Sequence, residues 1–350
     1  MRIRSAYFSL FLVLLLALGT IAPAQEQAKP QDENKYPELY KLDHGPHKVK
    51  IQNLEWRDEK RLRDIPVRIY SPETGDGPWP LILFSHGLGG SREGASYLGN
   101  HLASHGYVCV HLQHAGSDNS IWKGKNLVEA EAAMQQATKN PRNAANRTQD
   151  VTFAIDQIQA MNADSESDLH GKIDLDHIGM SGHSFGAHTT LSAIGQAAVL
   201  PSGRKMAFAE KRITAAIAYS PAPPRHGKYR EAFEDIRIPC FHMTGTKDYS
   251  AISDVQPEQR RIPFDHMAGA DQYLVIFRDG EHSIFSDERP RGKKHDPMYH
   301  RYIKSASTAF WDAYLKNEAE AKEWLTSADG FEKSLNANGT FEKKLKSADE

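Results

Sequence analysis

The chain has 350 residues, of which 39% are hydrophobic and 25% are charged, and its formal net charge at pH 7 is −2. This composition excludes a disordered, fibrous or strongly basic protein, and the length is sufficient for one large globular domain or two small ones, of which we expect the single large domain. A weakly acidic chain is not expected to bind nucleic acid. Two cysteines cannot form a framework of several disulfides, so the hydrophobic core must provide the stability.

The first 24 residues have the pattern of a secretory signal peptide. Arg2 and Arg4 precede an apolar run, and Ala22 and Ala24 are the small residues that a signal peptidase requires. The alternative is an uncleaved membrane anchor, but the run is shorter than the roughly 20 residues that a spanning helix needs. We therefore expect cleavage after Ala24, a secreted or periplasmic location, and no stable membrane span in the mature chain.

The next segment, residues 25–47, is polar and is expected to form a flexible N-terminal arm. Regular structure should begin near residue 48. Two extended stretches, 49–56 and 62–70, flank the charged turn 57–60. This pattern predicts an antiparallel hairpin at the edge of a sheet.

Strands and helices then alternate along the chain. Residues 80–85 form a continuous apolar run, which is typical of a central strand covered on both faces. The alternation predicts an α/β fold with a doubly wound, mostly parallel sheet and helices on both faces. Further strands are predicted at 107–112, 178–180, 213–219, 238–243 and 273–277, and helices at 93–104, 143–161, 186–200 and 299–315.

Three segments complete the predicted domain organisation. Residues 48–316 are expected to form the catalytic domain. Within it, residues 118–142 form either a substrate lid or a solvated helix above the sheet. The charged segment 317–350 is expected to be a peripheral helical tail.

The most informative motif is Gly-x-Ser-x-Gly, formed here by Gly182, Ser184 and Gly186. It follows a predicted strand and opens a predicted helix, which is the context of a nucleophilic serine on a sharp, strained turn. A Cβ atom at either glycine position would collide with neighbouring elements. Ser184 is therefore the candidate nucleophile.

A serine hydroxyl needs a base that removes its proton and a carboxylate that orients the base. Asp248 follows the predicted strand 238–243, and His282 follows the predicted strand 273–277. The order Ser, Asp, His is the order of triads built on such sheets. We interpret Asp248 as the acid and His282 as the general base; taken singly, they could be a turn-forming residue and a surface histidine.

An oxyanion hole requires backbone N–H donors near the nucleophile. Phe185 follows the nucleophile, and Leu88 lies in the glycine-rich run 85–90 after the central strand. These two N–H groups are the predicted donors. His86 is expected to brace this run rather than to transfer protons.

Other polar residues near these positions are candidates for the substrate cleft, namely His86, His114, Ser117 and His183. A metal site is the rival interpretation, but no His-Glu-x-x-His motif or cysteine pair with zinc-binding spacing occurs. We expect no metal and no cofactor.

The run 84–90, the sequence Leu-Ala-Ser-His-Gly-Tyr at 102–107 and the serine motif at 182–186 together resemble the α/β-hydrolase superfamily over about residues 49–315. Within it they look like the plasma-type platelet-activating factor acetylhydrolases and the bacterial proteins called predicted dienelactone hydrolases. The resemblance implies an α/β-hydrolase fold and a serine esterase with Leu88 and Phe185 as oxyanion donors.

Two departures from these families are visible. The acetylhydrolases place their acid after the strand that follows the nucleophile helix, where this chain has Ser220 and no carboxylate, and true dienelactone hydrolases use a cysteine nucleophile. The strand order of the superfamily would place Cys109 and Cys240 four strands apart. That separation, about 19 Å, is too long for a disulfide, so both thiols are expected to be free and buried.

The sequence thus predicts a secreted serine hydrolase that cleaves carboxylic esters, in a small molecule or a polyester, through a Ser-His-Asp triad and an acyl-enzyme. The alternatives are a peptidase or acyltransferase on the same fold, and a non-catalytic envelope binding protein. No feature of the sequence indicates an oligomeric state.

Overall fold

The elements of the chain are arranged around one large sheet. The computed structural model describes residues 39–200, 202–224, 227–250, 252–287 and 297–346. The strands are β1 (Val49–Asp58), β2 (Arg63–Pro72), β3 (Trp79–Ser85), β4 (Val108–Leu112), β5 (Ile173–His183), β6 (Ala198–Val199), β7 (Lys205–Met206), β8 (Ile213–Tyr219), β9 (Cys240–Lys247), β10 (Gln272–Glu281) and β11 (Gly339–Lys344). The α-helices are α1 (Ser96–Ser104), α2 (Leu127–Lys139), α3 (Pro141–Ala163), α4 (Phe185–Ala193), α5 (Tyr229–Phe233), α6 (Ile262–His266), α7 (Pro297–Leu315), α8 (Ala319–Thr326) and α9 (Lys333–Leu335).

In the described part of the chain, nine strands form the main sheet in the order β1-β2-β4-β3-β5-β8-β9-β10-β11. The run from β4 to β10 is parallel. The three outer strands β1, β2 and β11 are antiparallel to their neighbours. The predicted mostly parallel sheet is confirmed, and so is the hairpin of β1 and β2 at its edge.

Helices cover both faces of this sheet because the central strands are apolar on both sides. All seven residues of β3 are buried. On one face, Ile82 and Phe84 pack in a core that includes α1 and α7, and on the other, Leu81 and Leu83 pack with α3 and α4. The doubly wound arrangement places the carboxyl ends of the parallel strands at one edge, where loops can bring distant residues together.

The C-terminal segment differs from the predicted peripheral tail. Strand β11 pairs with β10 and forms the last strand of the sheet. Phe331 is fully buried, and its ring centroid lies 4.9 Å from that of Phe341 and 5.4 Å from that of Trp324. Residues 317–346 are therefore part of the folded domain, because their few apolar residues pack against its core at the end of the sheet.

The part of the predicted N-terminal arm that the structure describes is also attached to the domain. Leu39 is buried. The Tyr40 hydroxyl donates a hydrogen bond to Asp312 Oδ2 at 3.0 Å, and Lys41 Nζ pairs with Asp312 at 2.6 Å and with Glu318 at 2.9 Å. These contacts attach residues 39–41 to the domain. The predicted signal peptide and residues 25–38 lie outside the described residues.

The helix after the nucleophile is shorter than the predicted 186–200. Helix α4 ends at Ala193, and Gly195 has a φ of 117°, a conformation that interrupts a right-handed helix. The following residues form the small antiparallel pair of β6 and β7.

The two cysteines are free and buried, as predicted. Cys109 lies on β4 and Cys240 on β9, four strands apart in the sheet. Burial raises the pKa of both thiols. Neither thiol is therefore activated as a nucleophile. Among the described helices, none has both the length and the apolar composition needed to cross a bilayer.

Candidate active site

Ser184 lies on the sharp turn between β5 and α4. Its backbone has φ 59° and ψ −113°, a conformation that residues other than glycine rarely adopt. The Ser184 N–H donates a hydrogen bond to the Tyr219 carbonyl at 2.9 Å, which ties the turn to β8. The sheet thus holds the strained turn in place, and the Ser184 side chain lies at the edge of the sheet where the parallel strands end.

The glycines on either side of Ser184 are required by close backbone contacts. A Cβ atom on residue 186 would lie 1.8 Å from the Ser85 carbonyl oxygen, and one on residue 182 would lie 2.4 Å from the Gly186 carbonyl oxygen. No side chain fits at these distances. The steric need for glycine at both positions is confirmed.

The structure brings together the three side chains predicted for the triad. Ser184 Oγ lies 2.9 Å from His282 Nε2, and His282 Nδ1 lies 2.6 Å from Asp248 Oδ1. Asp248 is fully buried, whereas the His282 side chain is 25% exposed. The carboxylate is thus hidden behind an imidazole that reaches the surface beside the serine. This arrangement can transfer a proton from Ser184 to His282.

The environment of Asp248 keeps its carboxyl group ionised. Burial by itself raises the pKa of Asp248, but the hydrogen bond and charge of His282, with the charge of Arg260, outweigh it and lower the pKa to about 2. An ionised carboxylate accepts the Nδ1–H of the imidazole and stabilises its protonated form.

Two residues that the sequence analysis did not assign to the site also hold Asp248. The Ser220 hydroxyl donates to Asp248 Oδ2 and lies 3.0 Å from His282 Nδ1. Arg260 is buried, pairs with Asp248 Oδ1 at 3.2 Å, and donates to the Ser220 carbonyl at 3.0 Å. Ser220 follows β8, where the sequence showed a strand end without a carboxylate.

The two backbone segments that carry the predicted oxyanion donors lie beside the nucleophile. A Cβ on Gly87 would lie 3.4 Å from Ser184 Cβ, so the glycine-rich run after β3 lies against the serine. In the described part of the chain, neither the Leu88 nor the Phe185 backbone N–H donates a hydrogen bond to another residue. Both N–H groups are therefore free to donate to a ligand atom beside Ser184.

A second Ser-His-Asp chain lies beneath this run. Ser85 Oγ lies 2.8 Å from His114 Nε2, and His114 Nδ1 lies 2.9 Å from Asp150 Oδ2. All three side chains are fully buried, and Arg61 and Arg63 also pair with Asp150. Since no substrate can reach Ser85, this chain supports the fold. No group of three or more possible ligand side chains among the described residues could hold a metal ion.

The four side chains predicted to line the substrate cleft are all buried. His86 Nε2 accepts a hydrogen bond from the His114 N–H at 3.1 Å, and Ser117 Oγ donates to the His114 carbonyl at 3.2 Å. His183 Nε2 donates to the His282 carbonyl at 2.8 Å. These side chains expose little surface to a substrate, because polar side chains next to strand ends can turn inward wherever buried partners satisfy them.

Helix α2 and the turn before it make up most of the segment that was predicted to be a lid or a solvated helix. The Trp122 indole N–H donates to the Gly89 carbonyl at 2.6 Å, so the start of the segment contacts the glycine-rich run. Leu127 and Val128, at the start of α2, are exposed. The segment is therefore attached beside the site at Trp122 and exposes an apolar end to solvent at the start of α2.

Comparison with known proteins matches residues 61–164 to the family model described as platelet-activating factor acetylhydrolase, isoform II. The chain is similar to this family. Platelet-activating factor acetylhydrolase of Cavia porcellus is 24% identical over 301 residues, which cover 77% of this chain and 65% of the relative. The enzyme of the same name from Canis lupus familiaris is 30% identical over 157 residues, covering 37% of this chain and 35% of the relative.

The chain spans less than two thirds of the length of these curated relatives. The acetylhydrolase family model covers the glycine-rich run and α3 but ends before Ser184, Asp248 and His282. The resemblance to acetylhydrolases predicted from the motifs is confirmed, and the assignment of the triad rests on the geometry.

Proposed function

We propose that this chain is a serine hydrolase that cleaves carboxylic esters through a covalent acyl-enzyme. The observation that carries the proposal is the hydrogen-bonded chain from Ser184 through His282 to the buried Asp248. The similarity to the acetylhydrolases supports an ester as the substrate.

In the first half-reaction, Ser184 Oγ attacks the ester carbonyl carbon while His282 Nε2 accepts the hydroxyl proton. The carbonyl oxygen becomes an oxyanion that accepts hydrogen bonds from the Leu88 and Phe185 N–H groups. When the tetrahedral intermediate collapses, the carbon–oxygen bond to the alcohol breaks, and the protonated His282 gives its proton to the departing alcohol.

In the second half-reaction, water attacks the acyl carbon and His282 removes its proton. The bond between the acyl group and Ser184 then breaks, the serine recovers its proton from His282, and the carboxylic acid leaves. Asp248 stays ionised throughout and stabilises the imidazolium form of His282 in both steps.

The test of this function is Ser184→Ala. The variant should lose turnover of p-nitrophenyl acetate by at least about 10³-fold, because the acyl-enzyme cannot form. His282→Ala should lose nearly as much, since the members of a triad act as a unit. The measurement is steady-state hydrolysis, with circular dichroism to establish that each variant is folded.

Ser192→Ala is the matched control, because Ser192 lies on the same helix α4 and its Oγ is 3.5 Å from His188 Nδ1, away from the triad. It should keep full activity. A fluorophosphonate probe should label the wild type and Ser192→Ala but not Ser184→Ala. Turnover retained by Ser184→Ala, or a wild type that the probe does not label, would overturn the assignment.

We also propose that the chain is exported and that residues 1–24 are removed after Ala24, as their sequence pattern indicates. The mass and N-terminal sequence of the protein recovered from the periplasm or the medium test this. A mature chain that still begins at Met1 would contradict it.

A further inference from the structure

Arg147, on α3, is a fully buried arginine whose guanidinium contacts only neutral acceptors. Its Nε donates to Thr189 Oγ1 at 2.9 Å, its Nη1 donates to Ser117 Oγ at 3.0 Å, and its Nη2 donates to the His86 carbonyl. In the described part of the chain, no carboxylate lies within ion-pair distance of Arg147, and the charges of Asp150 and Asp118 act on it only from further away. Burying a charge without a directly paired carboxylate is costly, so the placement suggests a role beyond stability.

Some of the contacts of Arg147 connect it to Phe185, the first proposed oxyanion donor. The Thr189 hydroxyl that accepts from Arg147 donates in turn to the Phe185 carbonyl at 3.0 Å. The guanidinium carbon of Arg147 also lies 4.6 Å from the centroid of the Phe185 ring. The guanidinium therefore holds both the backbone and the side chain of this residue.

The other contacts of Arg147 connect it to the residues on both sides of Leu88, the second proposed donor. Arg147 binds the His86 carbonyl directly, two residues before Leu88. It also binds Ser117, whose carbonyl accepts the Gly89 N–H at 2.9 Å. The backbone before and after Leu88 is thus connected to the same guanidinium.

We infer that Arg147 is the positioning residue of the oxyanion hole, since one rigid guanidinium connects the two separate backbone segments that carry the donors. The inference rests on the proposed function. A planar guanidinium has five N–H donors in a fixed geometry, whereas a lysine ammonium is a point charge on a flexible chain. Burial lowers the pKa of Arg147 to about 9, so the group stays protonated at neutral pH and keeps all its donors.

The test compares Arg147→Met, which removes charge and donors, with Arg147→Lys, which keeps the charge and loses the planar geometry. Both should lower kcat for p-nitrophenyl acetate by about 10- to 100-fold, less than or equal to the loss of a direct oxyanion donor, with little change in KM. A trifluoromethyl ketone forms an oxyanion on Ser184 and mimics the intermediate. Its affinity should fall by the same factor as kcat/KM.

All rates are expressed per site titrated with a fluorophosphonate, so that unfolded protein does not count. Phe331→Ala is the control for lost stability, because Phe331 is buried in the C-terminal segment. It should keep the wild-type kcat per site. If Arg147→Met does not fold, Thr189→Val removes the hydrogen-bonded connection to the Phe185 backbone, leaves the contact with the Phe185 ring, and should show the same pattern to a smaller degree.

Wild-type kcat per site in Arg147→Met or Thr189→Val would overturn the inference, and so would full recovery by Arg147→Lys, because charge alone would then suffice. Ser184→Ala distinguishes a failure of the proposed function from a failure of the role of Arg147. If Ser184→Ala keeps turnover, the proposed function fails. If Ser184→Ala loses turnover while the Arg147 variants keep theirs, only the role of Arg147 fails.

Discussion

Asp248 and Ser220 reach His282 from the ends of neighbouring strands. Asp248 follows β9 and Ser220 follows β8, and both have an oxygen within 3.0 Å of His282 Nδ1. Ser220 has a φ of 58°, a conformation that aspartate tolerates better than most residues. Position 220 therefore has both the reach and the backbone geometry for a carboxylate.

We predict that the acid can be moved between these two positions. Asp248→Ser should lower kcat by about 10⁴-fold, because His282 loses the carboxylate that sets its tautomer and charge. Adding Ser220→Asp should recover at least about tenfold of that loss, since a carboxylate again faces Nδ1. The measurement is kcat for p-nitrophenyl acetate in the two single variants and the double variant.

Ser220→Asp alone is the matched control, and it should be less active than the wild type, because two carboxylates would then share one buried site. A double variant no more active than Asp248→Ser would show that position 220 cannot supply the acid.

At the scale of elements, the C-terminal segment stabilises the end of the sheet. Phe331 lies between Phe241 on β9 and Phe341 on β11, with ring centroids 6.2 and 4.9 Å away. Because the residues around Phe331 in the sequence are charged, the local pattern does not indicate that its ring is buried. This packing attaches β11 and the residues before it to β9 and β10.

We predict that Phe331→Ala lowers the free energy of unfolding by about 3–5 kcal/mol, the usual cost of removing a fully buried aromatic ring. Phe208→Ala is the control, because the Phe208 side chain is 47% exposed. It should change stability by less than about 0.5 kcal/mol. Urea denaturation monitored by circular dichroism measures both, and equal effects of the two substitutions would contradict the integrated role of the segment.

At the scale of the whole molecule, buried histidines connect stability to pH. Burial lowers the pKa of His101 and His183 to about 3 and that of His111, His114 and His242 to about 4. These imidazoles are neutral in the folded chain. In the unfolded chain their pKa returns to about 6.5.

Between pH 6.5 and 4, the unfolded chain therefore binds more protons than the folded chain. The free energy of unfolding is therefore unaffected by these histidines above about pH 6.5. Below that pH it falls by up to about 1.4 kcal/mol per pH unit for each buried histidine. The depressed pKa of Asp248, about 2, contributes in the same direction only below about pH 4.

We predict that the urea midpoint of the wild type declines steadily from pH 6.5 to pH 4.5. His242→Gln should reduce the slope of the free energy of unfolding against pH by up to about 1.4 kcal/mol per pH unit, because the folded and unfolded states then differ by one bound proton fewer. His170→Gln, at an exposed position, should leave the slope unchanged. A midpoint independent of pH over this range would show that the buried histidines do not control acid stability.

Local patterns were sufficient to predict most of the sheet and three residues that the fold brings together. Apolar runs such as 80–85 and 213–219 identify buried strands by their composition, and the glycines beside Ser184 identify a tight turn. Asp248 and His282 each follow an apolar strand. Since parallel strands end at the same edge of a sheet, their positions in sequence were enough to predict that they lie near Ser184.

The partners of the other polar residues could not be predicted from the sequence and are visible only once the chain is folded. Arg147 continues the apolar stripe of α3 that includes Val151 and Ile155, and a charge on such a stripe is the one local signal of a buried role. That signal does not reveal that its acceptors lie on the glycine-rich run and on α4, or that His114 turns inward to Asp150. Periodicity and turn chemistry are local properties of the chain, whereas the partner of a buried polar group depends on which distant segments the fold brings into contact.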